Sequence, residues 1–170
     1  SIVFWSDHGY QLGEHGQWMK QTVFEPSAHS PLIIGGAGVR ARGKVSPRTV
    51  EFLDIYPTLS KLCGLSGLPS DLHGVSLMPL LSNPTVAWDR PAITQVRRIS
   101  ESKPIDGHSL RTERYRYSMW DGGREGEELY DYSGDPREMK NLATDKASEP
   151  VKQRLKSHLE SILRTRGWNG

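Results

Sequence analysis

The chain opens on a continuous apolar run, Ile2, Val3, Phe4 and Trp5, which breaks at once into Ser6-Asp7-His8-Gly9. Four consecutive β-branched and aromatic residues without alternation predict a strand buried on both faces, with the polar cluster at its C-terminal end. A loop rich in Gly and polar residues follows as far as Pro31, and Leu32-Ile33-Ile34 before Gly35-Gly36 predicts a second buried strand. Asp54 is placed to cap a short helix running through Cys63, with Pro57 tolerated in the first turn and Leu59, Leu62 and Cys63 facing the core. Ser76 is placed to cap another short helix over 77–81 before Asn83-Pro84 breaks the chain.

After residue 90 the pattern changes. Segments 91–99, 108–112, 115–120 and 128–132 read as short strands between turns such as Asp121-Gly122-Gly123 and Gly134-Asp135-Pro136, which predicts an antiparallel sheet. Val151, Leu155, Leu159, Ile162 and Leu163 then recur on one helical face with charges elsewhere, giving an amphipathic helix to cover that sheet. The expected organisation is therefore α/β over 1–90 and a smaller α+β subdomain over 91–170.

Composition narrows the classes. A formal charge of +2, with acids and bases interspersed, gives no reason to expect a nucleic-acid partner. The single cysteine, Cys63, excludes an internal disulfide and a paired-cysteine zinc site, and its expected place is the core. The apolar runs fall far short of the roughly 20 residues that span a bilayer, and no basic region precedes the first of them as in a secretory signal.

The densest chemistry lies in the run from Ser6 to Lys20. Ligands bind beyond the carboxyl ends of strands in open α/β sheets, and that is where Asp7 and His8 stand. Once the backbone turns at Gly9, a carboxylate oxygen and an imidazole nitrogen can converge on one hard divalent cation, although two donors fall well short of the roughly six to eight oxygens that calcium takes. Spacing alone fits an Asx turn beside a surface His better. Lys20 offers a point charge for an anionic oxygen, yet judged alone it reads more simply as a solvated lysine. His15, His29 and Glu14 are candidates for proton transfer. The His-Glu-x-x-His spacing of zinc proteases is absent, as are a nucleophile elbow, a glycine-rich phosphate loop and a dinucleotide fingerprint.

Taken together, the run Ser6-Asp7-His8-Gly9 through Leu12-Gly13-Glu14-His15-Gly16 to Lys20 resembles the type I sulfatases of the alkaline-phosphatase superfamily, and is closest to iduronate-2-sulfatase and its bacterial relatives. Ser30-Pro31-Leu32-Ile33-Ile34, Asp54-Ile55-Tyr56-Pro57-Thr58-Leu59, Gly74 to Leu81, Leu110 to Tyr117, Glu128-Leu129-Tyr130-Asp131, Asp135-Pro136, Glu138 and Asn141-Leu142-Ala143 resemble family blocks in the family's order. The resemblance implies the C-terminal portion of an alkaline-phosphatase-like sulfatase fold, with 1–90 the end of the catalytic α/β domain. It implies that Asp7 and His8 are metal ligands, that the metal is calcium, and that Lys20 contacts the sulfate, with His15 beside it on the substrate. By the same resemblance a hydrated formylglycine attacks sulfur, the metal polarises the sulfate, and Asp7 helps deprotonate the nucleophile.

This sequence departs from the family in two ways. Ser30 stands where the family often has Val and Tyr10 where close relatives carry Trp, which bears on substrate choice. The Cys/Ser-x-Pro/Ala-x-Arg setting from which formylglycine is made is absent. The expectation is thus a fragment whose N-terminal portion supplies the nucleophile and remaining ligands, and which acts on a sulfated small molecule or glycan in a periplasmic, extracellular or lysosomal setting. The rival readings are a phosphate or phosphonate hydrolase of the same superfamily and a noncatalytic binding module.

Overall fold

A computed structural model describes residues 1–100 and 102–168. In chain order its elements are β1 (Ile2–Trp5), α1 (Glu25–Ala28), β2 (Leu32–Gly35), α2 (Ile55–Leu62), α3 (Met78–Ser82), β3 (Ala92–Ser100), β4 (Lys103–Arg111), β5 (Tyr115–Trp120), β6 (Glu127–Asp131) and α4 (Glu149–Thr165). Contacts group Ser1–Ser6 with Pro31–Pro91 in one compact unit, and Asp7–Ser30 with the residues from Ala92 onward in another. No helix among the described residues is long and apolar enough to cross a membrane.

In the first unit β1 pairs antiparallel with β2, Val3 opposite Ile34 and Phe4 opposite Ile33. Both strands are where the apolar runs predict them. Ile2 is 74% exposed, Phe4 60% and Ile33 61%, because the pair is a two-stranded ribbon with no further strand beside it among the described residues. Helix α2 begins one residue after Asp54, whose carboxylate caps differently from expectation. It accepts from the backbone N–H of Glu51 at 2.9 Å and of Val75 at 2.8 Å, closing a capping box over a 3-10 turn at Phe52–Asp54. The buried residues of α2 are Pro57, Thr58 and Ser60, Leu59 and Leu62 are half-buried, and Cys63 is exposed, so the expected core place of Cys63 is corrected. The cause is polar: Thr58 donates to the Asp54 carbonyl and accepts from Leu77 N at 2.8 Å, drawing that face inward. Helix α3 starts one residue later than predicted, with Ser76 Oγ accepting from Met78 N at a long 3.4 Å.

The second unit holds an antiparallel sheet in the order β3-β4-β5-β6. All four predicted strands are present. Strand β4 begins five residues before expectation, at Lys103, because β3 and β4 form one long hairpin in which Ser100 pairs with Lys103. Leu110, Tyr117, Met119 and Leu129 on one sheet face pack with Leu155, Leu159 and Leu163 of α4, and Val151 and Ile162 complete the contact from partly buried positions. The helix covers the sheet as its periodicity predicts. Strand alternation sends Ser109, Arg116, Ser118, Trp120 and Glu128 to the opposite face, where Ser109, Arg116 and Ser118 are nonetheless buried.

Candidate functional site

Segment 7–30 is an irregular loop folded back on itself by its own backbone. Gln11 N donates to Met19 O and Gly13 N to Gln17 O, both at 2.9 Å, which brings the two ends of the Ser6-to-Lys20 run together. Gly9 N donates to Ser27 O at 2.9 Å and ties the start of the loop to α1. Only glycine fits at position 9, since a Cβ there would collide with the carbonyl oxygen of Pro26. In full-length protein Gly9→Ala is expected to displace the neighbouring side chains, and a misplacement on the order of 1 Å costs about a hundredfold in rate. Activity measured against a thermal melt of the same variant checks this, and an unchanged rate would show that the turn at Gly9 does not set the site.

The loop brings three of the candidate residues together. Lys20 Nζ lies 3.1 Å from His8 Nε2, and Asp7 Oδ2 lies 3.4 Å from the same nitrogen. His8 Nδ1 is 2.7 Å from the carbonyl oxygen of Gly9. If Nδ1 carries the proton and donates it there, the Nε2 lone pair faces Asp7 and Lys20, the tautomer and orientation that metal-binding imidazoles take. The Asp7 carboxylate is 83% exposed, and its Oδ1 accepts the His8 backbone N–H at 3.1 Å. This donor pair, one hard carboxylate oxygen and one imidazole nitrogen on a common side, fits part of a divalent-cation shell. Among the described residues no group of three or more His, Cys, Asp or Glu is placed to hold a metal.

The other candidates are placed differently. His15 sits in a 3-10 turn with φ 55° and stacks on Phe24, ring centroids 3.9 Å apart, leaving its Nε2 buried without a hydrogen-bond partner. Glu14 accepts the Leu12 N–H at 2.6 Å, and backbone N–H groups of Glu14 itself and Leu12 hold its carboxyl below the usual range, so it shapes the loop. His29 pairs with Glu25 at 3.2 Å, and that hydrogen bond raises its pKa against the effect of burial.

One cluster has no counterpart among the candidates read from sequence. Glu25, at the start of α1, has its Oε2 bonded to Arg116 Nη2, to Tyr132 OH at 3.1 Å and to Arg111 Nε at 3.2 Å. Its backbone N–H donates to Glu138 Oε2 at 2.8 Å, while Glu138 Oε1 accepts from both Arg116 and Tyr132. Arg116 and Glu138 are each 1% exposed. Two guanidiniums thus face two carboxylates, and the loop is clamped onto the sheet face opposite α4. Burial pushes the Glu25 carboxyl up, but the His29 hydrogen bond and the charges of Arg116 and Arg111 outweigh it and hold it well below the usual carboxylate range.

A four-stranded sheet with one covering helix, and a loop clamped to its other face, is the fold of the C-terminal portion of a sulfatase. The family described as N-sulphoglucosamine sulphohydrolase, C-terminal, matches residues 13–165, and the chain belongs to it. It is similar to arylsulfatase K of Mus musculus, 35% identical over 150 residues that cover 85% of this chain and 27% of that protein. A solved structure in complex with its substrate D-glucosamine-2-N,6-O-disulfate aligns with a TM-score of 0.86 at 28% identity, covering 99% of this chain and 35% of the other. The phosphonate monoester hydrolase of Agrobacterium radiobacter aligns with a TM-score of 0.77 at 28% identity, covering 95% and 34%. The chain therefore spans about a quarter to a third of the length of the proteins it matches.

Proposed function

We propose that this chain is the C-terminal part of a sulfuric ester hydrolase that removes sulfate from a sulfated sugar. The observation that carries the reading is His8, whose Nε2 faces both the Asp7 carboxylate and the Lys20 ammonium while Nδ1 lies on the Gly9 carbonyl. Family membership and the glucosamine disulfate held by a structural relative support the substrate class. Within that class we place the chain nearest iduronate-2-sulfatase and its bacterial relatives, on the strength of the run from Ser6 to Lys20, and in a periplasmic, extracellular or lysosomal compartment.

In this reading Asp7 and His8 hold one side of a divalent cation, calcium, whose chemistry is to polarise a sulfate oxygen. The remaining ligands and a formylglycine nucleophile belong to the portion of the relatives that this chain does not span. With Nδ1 donating to the Gly9 carbonyl, the Nε2 lone pair accepts from the Lys20 ammonium, and Lys20 would offer its fixed positive charge to an anionic oxygen of the sulfate and stabilise the transition state. His15 supplies a substrate-binding nitrogen, its buried Nε2 having no partner within the protein.

The similarity to a phosphonate monoester hydrolase sustains a second reading, because the two chemistries share the fold. Turnover of a sulfated glucosamine, an aryl sulfate and a phosphonate monoester by the full-length protein separates them. The expected result is a kcat/KM for sulfate esters at least about tenfold above that for the phosphonate. A preference for the phosphonate would replace the first reading with the second.

A further inference from the structure

A cavity of about 560 Å³ opens in the second unit, between segment 17–24 and the sheet face opposite α4. Gln17, Phe24, Arg98, Trp120, Glu125 and Glu128 line it. The volume falls in the range of small-molecule sites. One wall is preset: Gly107 on β4 pairs with Trp120 on β5, and the six-membered ring of Trp120 fills the space that a side chain at 107 would occupy. The ring is thereby held against the sheet by backbone, an arrangement by which sheets shield a strand glycine.

The polar lining decides what fits. Arg98 is committed, with Nε donating to Gln21 O at 3.0 Å and Nη2 to Gln17 Oε1 at 3.1 Å, while its guanidinium lies 5.6 Å from the Trp120 ring centroid. These bonds leave the charge of Arg98 in place but spend its donors on neutral acceptors, and the acidic side chains of Glu125, Glu127 and Glu128 outnumber it, which disfavours an anion. Glu128 has its Oε2 buried without a hydrogen-bond partner, and a buried acceptor of that kind calls for a donor. Burial, reinforced by Glu138, pushes its carboxyl up against the charges of Arg116 and Arg98 and a hydrogen bond with Trp120, which engages the carboxyl while Oε2 stays without a partner. An aromatic wall beside an unspent acceptor, in a pocket where acidic side chains outnumber the one arginine, suits the hydroxyls and apolar C–H face of an uncharged sugar. The rim segment, tied to Arg98 at Gln17 and Gln21, also carries Lys20.

We propose that this cavity is a subsite for an unsulfated sugar unit adjoining the sulfated one, with Trp120 as its platform and Glu128 as its hydroxyl acceptor. The inference rests on the proposed sulfatase reading, and it makes the substrate an oligosaccharide.

The test uses full-length protein carrying Trp120→Ala or Glu128→Gln, with three substrates: an aryl sulfate, a disaccharide sulfated on the reacting unit alone, and the same disaccharide sulfated on both units. Each variant is expected to raise KM for the singly sulfated disaccharide about tenfold while kcat stays within about twofold, and to change KM for the aryl sulfate far less. In the unsubstituted protein the second sulfate should raise KM. Equal effects on aryl sulfate and disaccharide, or none on the disaccharide, would overturn the subsite. Lack of turnover of any sulfate ester by the unsubstituted protein would sink the sulfatase reading instead. The subsite is then decided by saturation-transfer NMR with the unsulfated disaccharide, where a signal lost in Trp120→Ala sustains it and no signal refutes it.

Discussion

Asp7→Ala and Lys20→Ala in the full-length protein are each expected to lower kcat/KM for a sulfate ester about a hundredfold or more, the usual cost of losing one preorganised electrostatic contact. Their side chains project from an exposed loop, with the Asp7 carboxylate 83% exposed. Exposed substitutions away from caps and packed contacts usually change stability by less than about 0.5 kcal/mol, so the melting temperature should hardly move. The losses should also differ in kind. Asp7→Ala removes one of the two proposed cation ligands and should weaken calcium binding measured by calorimetry, whereas Lys20→Ala leaves both proposed ligands and should lower kcat at nearly unchanged calcium affinity. Lys20→Arg, which keeps the charge but not the point geometry, should recover only part of the rate. Near-normal turnover in either alanine variant would refute the role assigned to that residue.

Arg116→Met should produce the largest loss of stability. The substitution keeps much of the side-chain volume but strands Glu138, which is 1% exposed, and removes one of the two cations facing Glu25. Breaking a buried ion pair from one side typically costs about 3–5 kcal/mol. Denaturant titration gives the magnitude, and hydrogen exchange gives the place. Amides of segment 7–30 should lose protection first, while those of Leu155, Leu159 and Leu163 in α4, packed on the other sheet face, should lose much less. Uniform loss across both regions would mean that Arg116 supports the sheet and does not specifically hold the loop. The clamp also has a pH window. The Glu25 carboxyl is depressed, so its contribution is present above the unfolded carboxylate value near about 4.3 and is lost as pH falls through the lower folded value. The His29 imidazole is raised, so its contribution is full below about 6.5 and is lost as pH rises through the folded value. The His29–Glu25 link is therefore complete between those two unfolded values.

The proximity of the proposed site residues is local in sequence. Asp7 and His8 are adjacent, and Lys20 is 12 positions from His8, a span that one folded-back loop closes. The strands and α4 were legible because period-two and helical patterns report burial directly. One expectation failed because periodicity reports which residues share a face but not what lies on it. Cys63 follows the apolar Leu59 and Leu62 but is exposed, since hydrogen bonds through Thr58 turn a polar face inward. The clamp was hidden for the same reason. Alternation places Arg116 and Ser118 on one face of β5, and nothing in a single strand tells whether a polar face meets water or a carboxylate that lies 91 positions earlier in the chain.

That separation bears on how the protein is made. Synthesis delivers Asp7, His8 and Lys20 before the clamp, because Arg116 lies 91 positions after Glu25 and Glu138 lies 113 after it. Until Glu138 has left the ribosome the loop lacks the groups that hold α1, and long-range contacts of this kind close late. A premature stop or frameshift between Glu25 and Glu138 would therefore leave Asp7, His8, His15 and Lys20 encoded and translated, yet without the scaffold that sets their geometry.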